Sequence, residues 1–233
     1  QPLIDTENGR YLGAEVLVRW PHKEHGLIMP DQFINIAEQT GVIQSLSLWV
    51  IKNAIQTLKR WITVKPDFLL SINISASNLQ DENFLRAMNF LFYENKDLAK
   101  NVILEITETQ VMSDTQSALK NLWGLSELGF HIAIDDFGTG YSNLAYLKKL
   151  PASELKIDKS FILNLESDKQ NQVLVHTAIE MAHNLGLKVV AEGVESEKSR
   201  IILEEMGCDM CQGFHICRPV SVDQFEELLK THG

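Results

Sequence analysis

Little in this chain marks it for secretion, for a membrane or for coating nucleic acid. Of its 233 residues only three are cysteine, Cys208, Cys211 and Cys217. An odd number packed so closely is a poor disulfide framework. Cys208 and Cys211 form a C-x-x-C pair with His215 nearby. No second pair completes a zinc or redox site, so three ordinary reduced cysteines in a partly buried segment are expected. No uninterrupted apolar run approaches the ~20 residues of a membrane span. The opening residues QPLIDTENGR have neither the charged start nor the apolar core of a signal peptide. Basic residues are the minority: 21 Lys and Arg against 31 Asp and Glu leave a net charge of −10. That balance argues against DNA or anionic-membrane binding through a basic surface. It does not exclude a small anionic substrate held by metal ions. These absences read as a soluble, cytoplasmic domain with no membrane contact of its own. The chain begins abruptly within a candidate strand, so residues 1–233 are expected to be one domain excised from a longer multidomain protein, itself possible as a membrane-anchored one.

Also missing is any linker, low-complexity tract or long charge run that would divide the sequence. What fills it is an alternation of strand-like and helix-like segments. Residues 68–74, 102–106, 131–134, 155–157 and 188–191 read as near-continuous apolar strands, the pattern of a parallel sheet covered on both faces. Amphipathic stretches at residues 115–128 and 172–185 have helical spacing, with Gly129 and Gly186 as stops. Pro30-Asp31 opens a helix that runs to about Gln39 and ends at Gly41. Repeated strand-helix units over this length favour a (β/α) barrel. An open doubly wound sheet is the alternative, but no early strand is followed by G-x-G-x-x-G.

Polar residues recur at or near the strand ends. They are Glu15 in GAEVLVRW, Asn73 in SINIS, Glu105 in LEITE, Asp135 and Asp136 in IAIDDFGTG, Lys156 in LKIDKSF, Glu192 in VVAEGVE and Gln212 in CQGF. Each has an ordinary reading. Glu15, Glu105 and Lys156 can be solvated charges, Asn73 a turn former, the Asp-Asp pair a turn or cap, and Asp158 the cap of a following helix. Taken together, those readings require repeated carboxylates at one end of one sheet by accident. In a parallel barrel that end carries the active site. Adjacent acids on a buried strand repel each other and suffer desolvation unless a cation compensates.

The chemistry these groups suit is two-metal phosphoester hydrolysis. Two divalent cations roughly 3.5–4 Å apart hold and acidify a water and stabilise both attacking and leaving oxygens. Such cations take carboxylate and amide oxygens. Glu15, Glu105, Asp135, Asp136 and Glu192 offer five carboxylates and Asn73 an amide oxygen. With the metals in place, Arg19 and Lys156 would tip the pocket positive, which ties activity to metal occupancy.

GAEVLVRW, NIS, LEITE, IDDFGTGYSNLAYL, LKIDKSF, VAEGVE and QGF, in that order, resemble the EAL-domain phosphodiesterases, which hydrolyse the bacterial second messenger cyclic di-GMP to linear pGpG. The resemblance runs from Gln1 to about Pro219. It implies an α/β fold, a TIM-like (β/α)8 barrel with one atypical antiparallel strand. It implies Mg2+ or Mn2+ as the two cations. By the same resemblance Glu15, Asn73, Glu105 and Asp135 match the ligands of one metal. Asp135 bridges to a second metal, which Asp136 and Glu192 help to hold. Lys156 matches a catalytic lysine near the attacking water, and the general base is left open between Glu192 and Lys156. Gln1, Leu17 and Arg19 match substrate-contacting positions, and Gln212 a polar position near the site. Glu108, grouped with the catalytic residues, matches the glutamate that braces the loop after the Asp-Asp pair. That loop, residues 137–142, links metal binding to homodimerisation in the family. The signature triplet is Glu-Val-Leu, with Val16 in place of alanine. Val16 should face away from Glu15, and is expected to be tolerated. The competing readings are a catalytically silent cyclic di-GMP receptor and a pure interaction module.

Overall fold

The structure is a computed structural model and describes residues 1–112, 116–140 and 144–232. Ten strands lie in it, in chain order β1 (Pro2–Asp5), β2 (Tyr11–Val16), β3 (Trp20–His22), β4 (Gly26–Ile28), β5 (Leu69–Asn73), β6 (Val102–Thr107), β7 (His131–Phe137), β8 (Glu154–Ile157), β9 (Lys188–Ala191) and β10 (Met210–Cys211). Eight of them close a barrel in the order β1-β10-β9-β8-β7-β6-β5-β2. Every neighbouring pair is parallel except the two made by β1, which runs antiparallel to both β2 and β10. The barrel with one antiparallel strand is therefore present. β3 and β4 form a separate hairpin just after β2.

Helices fill the crossovers and cover the barrel. They are α1 (Pro30–Gln39), α2 (Ile43–Trp61), α3 (Ala76–Gln80), α4 (Glu82–Phe92), α5 (Glu108–Met112), α6 (Gln116–Glu127), α7 (Leu144–Leu147), α8 (Lys159–Ile162), α9 (Lys169–Asn184), α10 (Glu197–Glu205) and α11 (Val222–His232), with a 3-10 turn at Lys96–Asn101. α1 matches its expected limits, with Pro30 in the first turn where a missing N–H costs nothing. α9 starts three residues before the periodicity suggests, because the Asp168 carboxylate accepts from the N–H groups of Gln170 and Asn171 and caps it there. Gly129 and Gly186 follow α6 and α9 with φ of 97° and 78°, the left-handed stop that glycine adopts without a Cβ clash. Residue 115, expected at the start of α6, lies outside the described residues.

Side chains alternate across each strand, and the alternation sorts the core in two. Outward residues such as Ile72, Leu104, Ile132, Ile134, Leu155 and Val189 are buried beneath the helices. Beyond β2, Trp61, Phe68 and Phe225 pack ring against ring, with Trp61 and Phe225 stacked at 4.7 Å. The opposite parity fills the barrel interior with small and medium residues: Gly13, Ser71, Ile103, Ala133, and a minor cluster of Leu3, Val190 and Met210. A Cβ at Gly13 would lie 2.5 Å from the Leu69 carbonyl oxygen, so glycine lets β2 and β5 approach there. Two residues further along the strands, the same inward parity brings up Glu15, Asn73, Glu105, Asp135 and Lys156. The polar set thus forms the next layer above an apolar floor.

Among the described residues, no helix is long and apolar enough to cross a membrane.

Candidate active site

The centre of the polar layer is a lysine, not a solvated strand end. The Lys156 side chain is 3% exposed, and its Nζ lies 2.6 Å from Glu192 Oε1, 2.9 Å from Glu105 Oε1, 3.4 Å from Asp135 Oδ1 and 4.0 Å from Glu15 Oε2. None of the four is a well-aligned hydrogen bond. The ammonium acts as a point charge in a cage of oxygens. Burial pulls its pKa down, but Glu105, Glu15, Glu192 and Asp135 outweigh that pull, and the net shift is well upward. Glu105 pairs with Lys156 yet is so deeply buried, among other acids, that its pKa is raised well above the ordinary value. Its Oε2 has no hydrogen-bond partner among the described residues. A buried, unpartnered carboxylate oxygen is costly unless a cation meets it.

A polar chain fixes the orientation of Glu15. Asn73 Nδ2 donates to Glu15 Oε1 at 2.8 Å, and Gln212 Nε2 donates to Glu15 Oε2 at 2.7 Å. Gln212 Nε2 also lies 3.0 Å from Gln1 Oε1, and Gln1 Nε2 donates to the Cys217 carbonyl at 2.9 Å. Burial raises the Glu15 pKa; Lys156, Gln212 and Asn73 more than reverse it, so this carboxyl sits below its ordinary range.

Asp135 and Asp136 are neighbours on β7 and should face opposite ways. They do not, because the pairing of β7 with β8 slips between Ile134 and Phe137. Asp136 takes φ 55°, the one non-glycine residue in the left-handed region among the described residues. A bulge of this kind re-aims a side chain beside a site. Oxygens of Asp135, Asp136 and Glu192 then lie within 4.8 Å of one another. Burial, Asp135 and Asp158 raise the Asp136 pKa. Burial raises Glu192 to about 7, with Lys156 opposing and Asp135 and Glu15 adding.

The predicted residues divide by position. Glu15, Glu105, Asp135, Glu192 and Lys156 share one cage; Asn73 and Gln212 hold its rim; Asp136 joins through the bulge. Glu108 stands apart: its Oε2 accepts from the Gly138 N–H at 3.1 Å, so it contacts the turn after the Asp-Asp pair. Residues 141 and 142 of that loop lie outside the described residues. Leu17 and Arg19 follow β2, where the Arg19 Nη1 donates to the Val18 carbonyl. Both border a cavity of about 520 Å³ that also reaches Gln1, Glu15 and Trp49. A second cavity of about 400 Å³ lies across the Val16–Val18 segment and reaches Asp31, Asn73 and Glu105. Val16 packs against the core, as expected. Sequence reasoning did not single out Phe161, whose ring lies against the Gly138 turn; only its place in LKIDKSF signals it. Asp158 is the cap of α8, as its ordinary reading has it, accepting from the Ser160 N–H at 3.0 Å. Cys208 and Cys211 of the C-x-x-C pair are buried free thiols whose pKa burial pushes up.

The donors are therefore hard oxygens at the carboxyl ends of barrel strands, a site suited to divalent cations and an anionic substrate. The EAL domain family model matches residues 1–219, and the chain belongs to that family. It is 40% identical over 225 residues to the bifunctional diguanylate cyclase/cyclic di-GMP phosphodiesterase MucR of Pseudomonas aeruginosa, covering 96% of this chain and 33% of that protein. It is 38% identical over 231 residues to the cyclic di-GMP phosphodiesterase PA2567 of the same organism, covering 99% of this chain and 39% of that protein. The chain thus spans about a third of the length of the curated relatives it matches. Among solved structures, the MucR phosphodiesterase in complex with c-di-GMP superposes with a TM-score of 0.92 at 39% identity, covering 97% of this chain and 92% of that one. The EAL enzyme Bd1971, bound to cAMP and cyclic di-GMP, gives 0.93 at 33% identity, covering 98% and 63%.

Proposed function

We propose that the chain is a metal-dependent phosphodiesterase that hydrolyses cyclic di-GMP to linear 5′-pGpG. The observation that carries this reading is the cage of Glu15, Glu105, Asp135 and Glu192 around Lys156. Its likeness to relatives described as cyclic di-GMP phosphodiesterases supports the substrate. Two cavities meeting at Val16–Val18, beside Glu15 and Glu105, suit a compact dinucleotide with a base on either side of its phosphates.

The residues fit a pair of Mg2+ or Mn2+ ions. The unpartnered Glu105 Oε2 and the clustered oxygens of Asp135, Asp136 and Glu192 both call for a cation. Glu15, Asn73, Glu105 and Asp135 would hold one, and Asp135, Asp136 and Glu192 the other. When bound, such ions supply Lewis acidity and a lowered water pKa. Lys156, ringed by acids, stays protonated and is suited to offset charge developing on the phosphate; it is no base. Glu192, whose carboxylate lies beside Lys156 and the clustered acids, is suited to take the proton of the attacking water. Arg19 suits a phosphate oxygen. Water adds to phosphorus, the bond to one 3′ oxygen breaks, and that oxygen leaves protonated, giving a 5′-phosphate. The reading extends to a homodimer formed through the region after the Asp-Asp turn, and to action in the cytoplasm.

Incubation with cyclic di-GMP and Mg2+ or Mn2+, against a chelator control, tests it by chromatography. Metal-dependent pGpG supports the enzyme. Nucleotide binding without product would instead mean a receptor.

A further inference from the structure

The two turns that carry Asp136 and Glu192 come from different strands, yet both press on one short helix. A Cβ added to Gly138 would lie 2.7 Å from Phe161 Cε2, and one added to Gly193 would lie 2.5 Å from Lys159 Cβ. Phe161 and Lys159 belong to α8, the helix that directly follows the strand of Lys156. This helix is firmly seated. Asp158 caps it, Ile162 is fully buried, and the Glu192 N–H donates to the Ile157 carbonyl just before it at 3.1 Å. The Gly138 turn also meets Glu108, whose carboxylate accepts the Gly138 N–H. The turn is therefore held by both Glu108 and Phe161.

We propose that α8 is a spacer setting the distance between the Asp136 and Glu192 carboxylates, with Phe161 and Lys159 as positioning residues for the cation those acids hold. The proposal rests on the metal-dependent reading above. It explains why both turns carry glycine at their contact point. Gly138 and Gly193 have φ of 98° and 73°, and a side chain at either would also push its turn off α8. Neither Phe161 nor Lys159 is among the clustered ligand residues; both support the backbone that aims one, and the Lys159 charge also bears on Asp136. Among the described residues no glycine turn beside Glu15, Asn73 or Glu105 meets α8 in this way, and that side of the cage should not respond.

The test is Mn2+ titration of the full chain without nucleotide, following the free-ion signal by electron paramagnetic resonance. Unfolding midpoints in chelator accompany it. Asp136→Asn identifies the cation held by the cluster. Phe161→Ala and Gly193→Ala should each weaken that cation on the order of tenfold or more, as loss of supporting contacts around metal ligands commonly does, and leave the other unchanged. Adding Lys159→Gly to Gly193→Ala should recover part of the affinity, because it removes the atom in the way while the positive φ still penalises alanine. Leu163→Ala, at an exposed position just past α8, should bind as the parent does. Parent-like Mn2+ binding by Phe161→Ala, or no recovery in the double variant, would overturn the spacer. Should Phe161→Ala unfold, the Gly193 pair decides the matter. If the parent chain binds no Mn2+, or Asp136→Asn binds as the parent does, the metal-dependent reading itself fails and takes the spacer with it.

Discussion

Lys156 Nζ stands 2.6 Å from Glu192 Oε1, closer than to any other acid in its cage. The pair joins the residue suited to offset phosphate charge with the one suited to accept a proton. Lys156→Ala should lower kcat by on the order of 10²–10³ with little change in KM, since charge stabilisation acts mainly in the transition state. It also leaves buried acids without their cation, so the metal-free protein should lose about 3 kcal/mol. Mn2+ should then raise its unfolding midpoint more than it raises that of the parent. An equal loss in kcat and nucleotide affinity would mark Lys156 as a substrate-binding group.

Asp135, like Glu192, belongs both to the Lys156 cage and to the cluster with Asp136. Asp135→Asn and Glu15→Ala should each reduce turnover by orders of magnitude and weaken Mn2+ binding, while circular dichroism stays that of the parent. Normal hydrolysis by the Asp135 variant would contradict its bridging role.

Glu154 lies on the inner face one layer below Lys156, and its side chain makes no ion pair among the described residues. Burial pushes its pKa from 4.5 to about 7, against the pull of Lys188 and Lys156. Between those values the folded chain keeps a proton that the unfolded chain has lost. Its stabilising contribution is therefore complete below the lower value and is lost as pH rises through the upper one. Glu154→Gln, which does not titrate, should be more stable than the parent at pH ~8 by about 3 kcal/mol. The gap should close near pH ~5. Denaturant unfolding of both proteins across this range measures it, and a constant gap would contradict the assignment.

Thiol chemistry should follow burial. Cys211 is pushed up to about 11 and Cys208 further still, while Cys217 is partly exposed. A thiol reagent on the native protein should modify Cys217 first, with the other two reacting only on unfolding. Fast paired oxidation of Cys208 and Cys211 would contradict this.

Much of the barrel was legible because its strands are nearly continuous apolar runs and its helices carry glycine stops. The strands from Leu69, Val102, His131, Glu154 and Lys188 begin within a residue or so of their expected positions. β10 was hidden, since two residues carry no periodicity. The antiparallel course of β1 came only from resemblance; nothing in four residues encodes direction. The polar residues were legible singly, but their meeting was not. Strand alternation predicts opposite faces for Asp135 and Asp136, and only the β7–β8 slip and the positive φ of Asp136 unite them. Phe161 was silent because an aromatic after a strand reads as core until the Gly138 turn is seen against it.

The most direct test of the central claim is to run the reaction in ¹⁸O-labelled water with Mn2+ and analyse the nucleotides by mass spectrometry. The account predicts linear pGpG carrying one heavy oxygen in its 5′-phosphate, absent with chelator and in Asp135→Asn. Intact cyclic di-GMP in the presence of metal, with the nucleotide still bound, would contradict it.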